Sequence, residues 1–114
     1  MADCWIALTT LSSREQAERL AEALVAERLA ACVNVLGPVA SIYRWEGRVA
    51  RDEEVLLFIK TTREGVEPLQ TRVLELHPYD TPEFLALEVG AGAPDYLAWV
   101  VDSVVNAGPN EPKS

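Results

Sequence analysis

LAACVNVLGPVASIYRWEG, residues 29–47, carries the chain out of a helix and into a strand of unusual length. Its first part is apolar and β-branched at Val33 and Val35; Gly37-Pro38 interrupts it, and it resumes from Val39 to Trp45 before Glu46-Gly47 turns the chain. Proline donates nothing to a strand ladder and glycine tolerates a bend, so the interruption predicts a bulge or an edge position. A strand this long overhangs its own sheet. The overhang, Ile42-Tyr43-Arg44-Trp45, alternates two large aromatics with charge, and aromatic area of that size is ordinarily buried against something. In so short a chain, a second copy is a good candidate.

Upstream, residues 4–10 form an apolar run that predicts a strand covered on both faces. Ser12 and Ser13, with Glu15 and Gln16 three residues on, offer two overlapping capping boxes. The helix they open places Ala17, Leu20, Ala21, Leu24 and Val25 on its apolar side. Downstream, residues 47–52 read as a turn, Glu53-Glu54 as a lead-in, and residues 55–62 as a central strand with no wet face. After the loop at Arg63-Glu64-Gly65, Val66, Leu69, Val73, Leu76 and His77 make one stripe of a second helix, which Pro78 stops. Residues 78–82 form a loop fixed by two prolines, residues 84–89 a fourth strand, and residues 90–93 a link. Pro94 opens a last helix whose Leu97, Val100, Val101, Val104 and Val105 face the core and which Gly108-Pro109 ends. A single domain spans residues 1–108, and residues 109–114 read as a disordered tail.

The order is β-α-β-β-α-β followed by a C-terminal helix, an α+β ferredoxin-like pattern with an antiparallel sheet and its helices on one face. Three of the four strands read as apolar on both faces, so one face of the sheet has nothing within the chain to cover it. A patch of that size is unusual on a monomer. Association through the open face resolves the excess, and the pattern admits a dimer as readily as a cyclic trimer.

With 114 residues, 49% of them hydrophobic and 25% charged, the chain is long enough for one core without staples. Its net charge of -8 argues against nucleic acid and anionic membranes as partners. No stretch approaches the ~18 apolar residues that a membrane helix requires, and the N-terminus lacks a basic leader, so a cytoplasmic location is expected. Cys4 and Cys32 are then reduced, buried thiols.

Several words in this chain carry a resemblance: ERLAACVN (27–34), SIYRWEG (41–47), IKTT (59–62), HPY (77–79), TPE (81–83) and YLAW (96–99). Together they resemble the CutA family of divalent-cation tolerance proteins, in register from about Thr9 to Val101. The resemblance implies a ferredoxin-like fold, a tight homotrimer built by sheet packing and hairpin exchange, a cytoplasmic protein linked to copper tolerance, and likeness to the trimeric PII signalling proteins, whose clefts between subunits bind small molecules.

Copper favours thiolate and imidazole ligands, which makes Cys32 and His77 the metal candidates, joined at an interface by carboxylates such as Glu46, Asp80 or Glu83. No Cys-x-x-Cys or His-x-x-x-His spacing is present, so one subunit alone does not supply a strong site. A small-molecule cleft would draw on polar residues at element ends: Lys60, His77, Tyr79, Asp80, Glu83 and Trp99, with Tyr43 and Trp45 from a partner's hairpin. No catalytic triad, nucleophile elbow or phosphate loop is present, so no enzyme activity is expected. The expected function is a homotrimeric, non-enzymatic metal-binding or signalling module. The competing class is a scaffolding trimer, or a PII-like small-molecule binder, with an indirect link to metal tolerance.

Overall fold

The computed structural model describes residues 3–104. Val105, the expected helix stop at Gly108-Pro109 and the expected tail lie outside the described residues. Within them the elements are β1 (Cys4–Leu11), α1 (Arg14–Ala26), β2 (Cys32–Trp45), β3 (Arg48–Thr62), α2 (Val66–Leu76), β4 (Leu85–Glu88) and α3 (Pro94–Ser103). The strands form one antiparallel sheet in the order β2-β3-β1-β4, the split arrangement of the ferredoxin-like pattern.

Ser13 starts α1. Its backbone is extended, and its hydroxyl accepts the Gln16 amide proton at 3.1 Å. Ser12 in turn donates to the Gln16 side-chain oxygen at 2.9 Å, so both serines converge on Gln16. The helix buries Ala17, Leu20 and Leu24 against Ala7, Leu11, Leu57 and Ile59 of the sheet, with Ala21 buried beside them, and Leu69 and Val73 of α2 close the same core. Val25, expected in that stripe, is 42% exposed. It stands about 100° around the helix from Leu24, which carries it off the buried side.

Side chains alternate along a strand, so Ala7, Thr9 and Leu11 face α1 and α2 while Ile6, Leu8 and Thr10 face the other way. That other face is the one the sequence leaves without cover. Leu36, Leu85 and Leu87 on it are 41%, 54% and 53% exposed, and Ile6, Leu8, Leu56 and Phe58 are half-buried. Among the described residues only its Cys4 end is roofed, by α3, whose Val100 and Val104 pack with Cys4 and Ala31. The Arg28 guanidinium ties α3 down by donating to the carbonyls of Asp102 at 3.0 Å and Ser103 at 3.2 Å. A cation suits a helix C-terminus. Val101, expected in the core, is 41% exposed on the far side of α3.

The β2–β3 hairpin departs most from the expected boundaries. Residues 47–52 are not a turn: β3 begins at Arg48, and Trp45 pairs directly with Arg48. The turn is two residues long, Glu46 at φ 50° and Gly47 at φ 78°, both left-handed as a two-residue hairpin requires. Residues 48–54 carry no apolar alternation, because they lie on a ribbon whose two sides the described residues leave in water. The Gly37-Pro38 interruption does mark a bulge: the register shifts between Leu36 and Val39, on a strand that is also an edge, and the Gly37-Pro38 bond is cis. Arg14 donates to the Gly37 carbonyl at 3.1 Å, fastening the bulge to the start of α1.

Two further expectations move. The stripe of α2 buries Leu69 and Val73, but Leu76 is 40% exposed, and His77 has left the helix for an extended cap conformation. The fourth strand is shorter than expected, at Leu85–Glu88. Cys4 and Cys32 are free, and β3 separates their strands, so their backbones stand about 10 Å apart, beyond disulfide reach.

Candidate ligand groove

Where the long hairpin leaves the sheet, its inner side and the proline-fixed loop after α2 enclose a groove of about 940 Å³. Tyr79, Asp80 and Glu83, expected in a cleft, line it, and so do Tyr43 and Trp45 of the same chain, which the sequence reading expects from a partner's hairpin instead: the chain's own hairpin folds over the same end of the sheet as the loop after α2. So do Asp52, Glu53 and Glu54, read from sequence as a solvated turn and lead-in. Correcting the hairpin boundary explains the difference: as strand residues, Asp52 and Glu54 share one face of β3 and point the same way. No alternation marks this stretch in the sequence: Val49 and Ala50 stand side by side and four charged residues follow them.

Two phenols organise those acids. Tyr43 donates to Asp52 across the hairpin, and Tyr79 donates to Glu54 at 2.9 Å. The Asp52 carboxylate holds the Tyr43 phenol above its ordinary range. Burial, and then the bond to Glu54, push Tyr79 up to about 12. Each phenol thus keeps its proton and offers it to a carboxylate, leaving the remaining lone pairs of Asp52 and Glu54 for a ligand. Among the described residues, no lysine or arginine lines the groove. The groove therefore favours cations or hydrogen-bond donors and disfavours anions.

His77 lies behind the groove. It is 8% exposed, with its ring edge-on to Tyr79 at 4.7 Å. Lys60 and Trp99, also expected in the cleft, sit elsewhere. Lys60 donates to the Asn34 side-chain oxygen at 2.7 Å and stands 5.8 Å over the Tyr96 ring, which packs 5.6 Å from Trp99. Lys60 stands six positions along β3 from Glu54, about 20 Å at the rise of a strand. One chain thus holds two separate groups at opposite ends of its open sheet face. Asn34 and Tyr96 are the members of the second group that sequence reading missed.

The two metal candidates are apart as well. Cys32 pairs with Lys60 at one end, whereas His77 bonds Thr10 at the other. Among the described residues no three His, Cys, Asp or Glu side chains cluster closely enough to hold a metal ion. A site using Cys32 or His77 therefore requires ligands from a second chain. No helix among the described residues is long and apolar enough to cross a membrane.

A family model described as CutA1 divalent ion tolerance protein matches residues 5–103. A relative from Thermus thermophilus, the divalent-cation tolerance protein CutA, is 48% identical over 83% of this chain and 92% of its own. The solved structure of a Thermus thermophilus divalent cation tolerance protein, Cut A1, superposes with a TM-score of 0.86 at 46% identity, covering 89% of this chain and 98% of that one. A CutA from Nostoc, described as PII-like and solved in apo form, superposes with a TM-score of 0.83 at 43% identity, over 90% of this chain and 98% of that one.

Proposed function

The chain belongs to the CutA1 divalent ion tolerance family, and from that premise we propose that it is a homotrimeric, cytoplasmic, non-enzymatic module that binds a divalent cation, copper foremost, or a small molecule. The observation that carries the reading is the groove: acidic, aromatic, free of basic lining among the described residues, and built on carboxylates that two phenols hold in place. The open apolar face of the sheet supports assembly, because Leu36, Leu85 and Leu87 are costly to leave in water. Assembly also gives the separated residues a way to meet. The Lys60, Tyr96 and Trp99 group of one chain and the groove of another would together form a cleft with one cationic and one acidic wall. Cys32, half-buried on the same open face, would supply the thiolate of a copper site completed by a neighbour's carboxylates.

Binding to the folded assembly raises its stability by mass action, about 2.7 kcal/mol at a ligand concentration one hundred times the dissociation constant. Copper(II) added to the reduced protein should thus raise the melting temperature progressively with concentration, and Cys32→Ala should blunt the rise. A melting temperature indifferent to copper at every concentration would leave the scaffolding reading in its place.

A further inference from the structure

His77 faces the groove with none of its polar atoms, yet both of its nitrogens are used. Nε2 lies 2.8 Å from the Thr10 carbonyl oxygen, and Nδ1 lies 3.2 Å from the Tyr79 amide nitrogen. A carbonyl only accepts and an amide N–H only donates, so Nε2 carries the proton and Nδ1 receives one. We propose that His77 is a positioning residue: it clamps the loop after α2 to β1 and so holds Tyr79 against Glu54, fixing one wall of the groove. The inference rests on the reading of that groove as the ligand site.

The loop needs such a clamp. Pro78 and Pro82 set their own backbone angles but donate no hydrogen bond, so they stiffen the loop without placing it on the sheet. Tyr79 provides the first amide proton after Pro78, and His77 takes it. The imidazole then meets the Tyr79 ring edge-on, at 4.7 Å and 65°, which restricts where the phenol can point. The phenol reaches Glu54 at 2.9 Å. A continuous path therefore runs from the β1 carbonyl through His77 and Tyr79 to a carboxylate of β3, and Thr10 lies in register with Leu56, two residues from Glu54. Acting as a metal ligand instead would oblige His77 to release one of these partners inside the fold.

The test follows the Tyr79 phenol, by ring NMR across an alkaline titration of the assembled protein. In the parent, burial and the bond to Glu54 push it up to about 12. In His77→Ala it should fall towards the ordinary value of 10.0, while Val73→Ala, which hollows the core side of the same helix, should leave it in place. Copper should still bind in His77→Ala, because the groove carboxylates remain, but more weakly than in the parent, because the wall that presents Glu54 is released. Should the alanine variant fail to fold, His77→Leu, which fills the space without bonding, carries the same expectations. A folded variant with an unmoved Tyr79 titration would overturn the proposal, as would an equal fall in Val73→Ala. Loss of copper uptake with Tyr79 unmoved would make His77 a ligand instead. An empty groove leaves the Tyr79 readout intact, so failure of the ligand reading is distinguishable from failure of this one.

Discussion

Leu87→Glu is expected to reduce the assembly to single chains of 12.5 kDa without unfolding them. Leu87 lies on the open face of β4, opposite Ile6 of β1, and is 53% exposed within one chain. In the isolated chain the new carboxylate stays in water, and substitutions at such positions shift stability by about 0.5 kcal/mol or less. In an interface made by that face it becomes a buried, unpaired charge, which costs several kcal/mol per chain (roughly 3–5). Sedimentation at micromolar concentration, with far-UV circular dichroism as the check on folding, separates the two effects. A folded Leu87→Glu protein of unchanged mass would place the interface on another surface.

Leu57→Ala addresses the opposite face. Leu57 is fully buried at the centre of β3, among the residues that join the sheet to α1 and α2. Removing its side chain takes away apolar contact and leaves a cavity that rigid strands on both sides do little to fill. Losses of about 2–5 kcal/mol are usual for such truncations. Denaturant unfolding at fixed protein concentration measures the effect, since an assembly's stability depends on that concentration. A loss below about 1 kcal/mol would mean that the core collapses around the gap and that the sheet is less rigid than its packing indicates.

Which parts of this molecule the sequence discloses depends on whether a residue's environment lies within its own chain. The core helices announce themselves because Leu20, Leu24, Leu69 and Val73 are buried by neighbours a few residues or one element away. The bulge at Gly37-Pro38 is legible for a backbone reason: no other dipeptide in β2 both lacks a donor and tolerates a bend. Residues 48–54 are opaque because a two-stranded ribbon standing clear of its sheet is wet on both sides within one chain, so consecutive charges at Arg51 to Glu54 stand where an apolar period would identify a strand. The same misreading hid Asp52 and Glu54 from the groove. Val25, Leu76 and Val101 fit an apolar stripe by spacing, yet each falls just outside the narrow arc that the neighbouring element covers. His77 was visible as a residue but not as a role, since its two bonding partners, Thr10 and Tyr79, come from different parts of the chain. Of the expected cleft, Tyr43, Trp45, Tyr79, Asp80 and Glu83 gather in one chain because the hairpin and the loop after α2 flank the same end of the sheet. Lys60 and Trp99 sit at the other end, where only a second chain could bring them to the groove.

Assembly is thus the claim on which the rest of the function depends, and native mass spectrometry of the purified, reduced protein measures it most directly, with and without stoichiometric copper. The expected result is one species of three times the 12.5 kDa chain mass that takes up a fixed whole number of copper ions. A single chain at micromolar concentration would contradict the account, because it would leave the apolar sheet face in water and the two groups of site residues about 20 Å apart.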